Sequence, residues 1–222
     1  MLNALLNGAD MITLFLTAFS IVVMLLVVFP VHECSHALAA KLLGDDTAER
    51  MGRLTLNPVN HLDLIGTIGI LLFRVGWAKA VPVNTARCTK VRSQKAAMAI
   101  VAAAGPLANV VSSLVFMIVE KVLIVAVPQS TVLAYIILAL EMIIQLDLYN
   151  GVFNLLPIPP FDGSRLFLAF LPQKYYFSIM KYEQYIMIGL LVLMYTGILS
   201  IPFQFLTNAL YAFLDLITKF IC

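Results

Sequence analysis

Apolar residues in this chain fall into five long blocks, near Met11–Leu43, Ala96–Val127, Val132–Leu156, Tyr185–Leu199 and Phe203–Phe220. Crossing a hydrocarbon core of roughly 30 Å takes about 20 helical residues, and the first three blocks reach that length. The fourth is short, and Pro202 separates it from the fifth. The pattern predicts an all-α membrane protein, a polytopic transmembrane helix bundle of four to five spans and six at most. Four spans plus a surface helix fit as well as five.

Between the first two blocks, the stretch from Gly44 to Gln94 is more than a linker. Gly66 to Trp77 is apolar and punctuated by glycine, too short and too broken for a spanning helix. Ala80-Val81-Pro82-Val83 then reads as extended. Together they predict a short membrane-associated β-hairpin loop that dips into the protein, because irregular backbone at membrane depth needs protein or a water-filled cavity around it. No internal repeat or low-complexity segment occurs.

Composition agrees with the pattern. Hydrophobic residues make up 62% of the 222 and charged residues 12%, about half the share usual in soluble domains. The apolar blocks leave no room for a separate soluble domain, so residues 1–222 read as a single membrane-embedded domain. The first block is expected to be retained: no Lys or Arg precedes it, and it is too long for a signal-peptide core. Cys34, Cys88 and Cys222 are scattered and odd in number, which argues against a disulfide framework or a Cys-rich metal site. The absence of a basic stripe interleaved with aromatics argues against nucleic acid as a partner.

The placement of charge predicts an orientation. Nine of the 14 Lys and Arg residues fall between Lys41 and Lys95, and Arg165, Lys174 and Lys181 lie between the third and fourth blocks. Lys121 alone stands toward the turn between the second and third. The positive-inside rule then puts the two cationic loops in the cytoplasm and the N-terminus outside. A multi-pass protein of the cell membrane is expected, with its chemistry toward the cytoplasmic face.

That chemistry begins at His32-Glu33-Cys34-Ser35-His36, an H-E-x-x-H pattern continued by the helix-forming run Ala37-Leu38-Ala39-Ala40. Helical positions i and i+4 share a face, so both imidazoles can reach one ion, and Glu33 stands beside the first as a general base. The chain has 3 histidines in all and places two of them here, in a segment where ionisable groups are costly without a role. Zinc is the expected metal, and two histidines with one carboxylate and an open position form a usual catalytic set. Asp162 is a candidate third ligand. It follows three prolines in Pro157-Ile158-Pro159-Pro160 and precedes Gly163, which permits an unusual backbone angle. An N-cap for a helix starting near Ser164 is the competing reading of Asp162, and Asp147 is the next acid in line as a ligand.

The ordered set of motifs resembles the site-2 protease family of intramembrane metalloproteases, in its compact bacterial and archaeal branch without PDZ or CBS domains. H-E-x-x-H at 32–36 is followed by Gly52-Arg53-Leu54-Thr55-Leu56-Asn57-Pro58, Gly76-Trp77-Ala78-Lys79-Ala80-Val81-Pro82, Gly105-Pro106-Leu107-Ala108-Asn109 and Asn154-x-x-Pro157-x-Pro159-x-x-Asp162-Gly163. The resemblance covers about Val31 to Gly163. It implies His32, His36 and Asp162 as zinc ligands, Glu33 as base, and Asn109 and Asn154 along the substrate path. It also implies regulated cleavage of transmembrane protein substrates within the lipid bilayer. No peptide-binding insertion or nucleotide-sensing module is evident, so control by a separate regulatory protein is expected. His61 recurs in such sequences and reads here as a loop hydrogen-bonding residue. Three rival functions carry less: a zinc peptidase acting on soluble or membrane-surface peptides, a metal transporter, which has no use for Glu33, and an inactive scaffold, which would usually have lost a ligand.

Overall fold

The computed structural model of the chain describes residues 10–73, 76–170 and 181–222. Helix α1 runs over Met11–Leu43. Pro30 has no N–H to donate into the preceding turn, and just before it the ladder widens into a π turn at Met24–Val28, where Phe29 N–H reaches Met24 O. The helix stops at Gly44, whose φ of 111° lets the backbone turn back on Ala40 and Lys41. A short α2 (Thr47–Arg50) and a helix α3 (Leu64–Phe73) follow.

Helix α4 (Gln94–Ala126) begins at Ser93, whose hydroxyl accepts from Ala96 N–H, and α5 (Thr131–Asn154) begins in the same way at Ser130. A turn at 127–130 returns the chain, so α4 and α5 lie antiparallel. The chain ends in α6 (Asp162–Leu168), α7 (Glu183–Tyr195) and α8 (Ser200–Thr218).

Two packing centres hold these helices. Met117, Ile144, Leu148 and Leu214 join α4, α5 and α8, and Ile21, Leu25, Phe29 and Ile70 join α1 to α3. The part of α1 before the π turn packs on α5, and the part after it packs on α4. Outward-facing positions are also apolar, Phe15, Phe19, Val111, Val115, Val132 and Ile136 among them. A helix that is apolar on all sides is one surrounded by protein and lipid.

Two expectations are corrected. Among the described residues three helices, not four or five, are long and apolar enough to cross a membrane: α1 and α4 with 33 residues each and α5 with 24. Helix α7 has 13 residues, about 20 Å of rise, which falls short of the hydrocarbon core. In α8, Gln204, Thr207, Asn208 and Asp215 dilute the apolar run. The hairpin is also absent, and no strand forms among the described residues. Gly66–Phe73 belongs to α3, whose first turn is tied by the Asp63 carboxylate accepting from Gly66 N–H at 2.8 Å. Among the described residues there, the only ladder-like contact is a single antiparallel bridge between Leu62 and Ala78. A helix satisfies its backbone internally, which an isolated two-stranded hairpin in apolar surroundings cannot do. Arg74 and Val75 of the predicted hairpin, and Lys174 of the second cationic group, lie outside the described residues.

Candidate metal centre

The turn of α1 after Pro30 carries His32, Glu33 and His36, all buried against α4. The two imidazoles meet edge to face, with Nε2 of each 3.2 Å from the other. Asp162 Oδ2 lies 3.1 Å from both nitrogens. It stands at the start of α6, delivered by the irregular run from Leu155 to Phe161, which includes a cis Pro159–Pro160 bond. Helix α6 begins at Asp162 itself, with Phe161 in the capping position and no side-chain cap. The N-cap reading of Asp162 is thereby removed. Gly163 is required for space, not for an unusual angle: its φ is not positive, and a Cβ there would meet Leu156 O at 2.5 Å and Leu155 O closer still.

These three atoms test whether a metal fits. Bonds of about 2.0–2.1 Å to a tetrahedral ion set its ligand atoms roughly 3.3 Å apart, and the observed separations are 3.1–3.2 Å. His36 Nδ1–H donates to Val101 O at 2.7 Å, so its Nε2 presents a lone pair. Helix α4 leaves the necessary room because residue 105 is glycine. A Cβ there would sit 2.6 Å from His32 Nε2 and nearer still to His36 Nε2. No other described cluster of His, Cys, Asp or Glu converges in this way.

Glu33 stays off this triangle. Its Oε2 accepts from Val81 N–H at 3.1 Å, and Val81 is anchored beside Ala37 and Ala48 in a small apolar cluster. The extended segment around Val81 forms one wall of a cavity of about 330 Å³, lined also by His32, His36, Asp162, Asn154, Trp77 and Phe153.

The remaining candidates are placed as follows. Asn154 lines the cavity, and its amide nitrogen donates to Asn150 O at 3.0 Å. Asn109, expected on the substrate path, is buried to 1% exposure behind His32 and has both ends of its amide engaged. Asp147, the alternative ligand, contacts Asn109 at 2.6 Å and no metal-facing atom. His61 is fully buried and bonds Thr55 O at 2.7 Å, away from the centre. Asn150 escapes the sequence reading although it lines the same cavity. Its signal is the i, i+4 spacing from Asn154, two amides on one face of an apolar helix.

No family model matches the chain, and no solved structure matches it. Over 193 residues it is 38% identical to the Bacillus subtilis protein named "Putative zinc metalloprotease YwhC", covering 85% of this chain and 86% of that one.

Proposed function

Because this chain belongs to the zinc metalloprotease family of YwhC, we propose that it is a site-2-type protease that hydrolyses peptide bonds of transmembrane segments inside the bilayer. One observation carries the reading: His32, Glu33 and His36, on a helix apolar enough to cross a membrane, converge with Asp162 from the start of α6.

His32, His36 and Asp162 would hold the zinc ion, which when bound supplies Lewis acidity toward a peptide carbonyl and toward water. Glu33 takes a proton from the attacking water and returns it to the departing amine. Val81 N–H fixes one oxygen of that carboxylate and leaves the other free for the transfer. Asn154, with an amide oxygen that has no partner among the described residues, receives a backbone N–H of the unwound substrate. The apolar cavity walls keep bulk water away from the reacting atoms.

His36 lies seven residues before the end of α1 at Leu43, or about 10 Å along the axis, and that end meets the cationic loops. This supports a multi-pass protein of the cell membrane with its N-terminus outside and its site toward the cytoplasm. Substrate delivery and restraint fall to a separate regulatory protein.

The test uses purified enzyme in bilayer nanodiscs with a transmembrane substrate and a soluble peptide of the same scissile sequence. The proposal expects cleavage of the first and little of the second, and the reverse preference would instead establish a membrane-surface peptidase. Glu33→Gln should keep about one zinc per chain and lose cleavage. Asp162→Ala should lose both, because two histidines alone hold zinc poorly. Equal zinc loss in the two variants would withdraw Glu33 as the base.

A further inference from the structure

His36 and His32 solve the same problem by different means. To offer Nε2 as a lone pair, each must carry its proton on Nδ1. For His36 the matter is settled by its partner, because the Val101 carbonyl only accepts. His32 Nδ1 faces the side-chain amide of Asn109, 2.5 Å from Oδ1. An amide presents an acceptor at one end and donors at the other, so Asn109 by itself specifies neither tautomer.

The end of Asn109 remote from His32 lies 2.6 Å from Asp147 Oδ1, across the α4–α5 interface. Asp147 is fully buried, and its Oδ2 receives the Ser112 hydroxyl at 2.5 Å. A carboxylate only accepts. With Ser112 donating to Oδ2, the ionised Asp147 has only an accepting Oδ1 to offer Asn109. The Asn109 end facing Asp147 must therefore be the NH2 group, the end facing His32 must be the oxygen, and His32 must donate from Nδ1. The reversed amide would place two acceptors 2.6 Å apart, a repulsive contact in a buried interface.

The geometry points to Asp147 as a positioning residue that, through Asn109, sets the tautomer of His32 and so its readiness to bind metal. Ligating histidines commonly donate their other nitrogen to an outer partner. Here the partner is an ambidextrous amide whose direction a carboxylate on a second membrane helix dictates. The inference rests on the ligand reading above, but it makes a separate claim about a proton in the metal-free protein.

The experiment uses the full-length protein in detergent, selectively ¹⁵N-labelled at histidine, where three imidazoles give few signals. Without zinc, Asp162 Oδ2 at 3.1 Å would itself draw a proton to His32 Nε2, so the spectra are taken in an Asp162→Ala background. There His32 should show one tautomer protonated on Nδ1, and zinc affinities are measured with Asp162 intact. Asp147→Asn keeps the shape but lets the paired amides run either way, so both tautomers of His32 should appear. Asp147→Ala, which removes the acceptor, should weaken zinc binding about ten- to a hundredfold, the range for lost outer partners. The exchanged pair N109D/D147N restores a one-way chain: the amide moved to position 147 can donate to the carboxylate moved to position 109, which only accepts from His32. It should return His32 to the single tautomer and zinc affinity to within about threefold of wild type.

A single Nδ1–H tautomer in Asp147→Asn, or mixed tautomers in the exchanged pair, would overturn the inference. If Asp147→Ala does not fold, those two variants decide the matter alone. Wild-type protein that binds no zinc would instead sink the ligand reading.

Discussion

Gly105→Ala separates the folding of this protein from its metal chemistry. Residue 105 lies inside α4, where alanine is favoured over glycine by about 0.5–1 kcal/mol. The added Cβ would stand 2.6 Å from His32 Nε2, and ordinary van der Waals contact starts at 3.4 Å, so the imidazole must retreat by about 0.8 Å. Overpacking of that order costs about 1–3 kcal/mol. The two effects have similar size and opposite sign, so the zinc-free variant should melt within about 2 kcal/mol of wild type. The metal tolerates no such compromise: ligand distances must hold within about 0.2 Å, and the displacement is about four times that. Zinc affinity should fall by at least about a hundredfold, the far end of what outer-partner losses cause. Chelator competition read by metal analysis measures the affinity, and thermal unfolding in detergent after metal removal measures the fold. A Gly105→Ala protein that held zinc as wild type does would refute the claim that this glycine makes room for the ion.

Two further outcomes can be checked. Asp45 is fully buried and accepts from the Thr47 backbone, the Thr47 hydroxyl and Asn84 N–H; burial alone would raise its carboxyl, and these donors with Arg87 bring it below its usual value. The ionised form is thus favoured by folding, so its contribution is present above the ordinary carboxylate pKa and fades as pH falls below it. Asp45→Asn should cost about 2 kcal/mol at neutral pH, with the gap from wild type closing below about pH 4; a gap constant with pH would refute this. For the orientation, K90C and Q129C in a cysteine-free background should react oppositely with an impermeant maleimide on intact cells. Residue 129 should label and residue 90 should not, and the opposite result would invert the topology.

What is legible in the sequence is what local spacing encodes. His32 and His36 share a helix face because they stand four positions apart, and Asp162 stands out because prolines bar a regular helix before it. Pairings between helices carry no such signal. Asn109 and Asp147 lie 38 positions apart, and nothing near either one announces that they meet. The family resemblance puts Asn109 on the substrate path, whereas it stands behind His32. The hairpin expectation fails for a different reason. Gly66, Gly69 and Gly76 look like breaks, while the stronger signal is Asp63, a capping residue three positions before Gly66 that starts a helix. Block length alone overcounts the spans, because it passes over the polar positions that interrupt α8.

The π turn at Met24–Val28 has a consequence for how α1 tolerates change. Such a turn shifts the phase of everything after it relative to everything before it, and each residue of an α-helix advances by about 100°. One helix thereby serves two partners, showing α5 the stripe dictated by its first half and α4 the imidazole-bearing stripe of its second. Swapping one aliphatic residue for another within Met24–Val28 leaves that phase intact. Deleting a single residue there would swing His32 and His36 about a quarter-turn away from Asp162 while leaving every side chain of the centre in the sequence. The segment is indifferent to spelling and intolerant of length, so it works as a timing element for the helix.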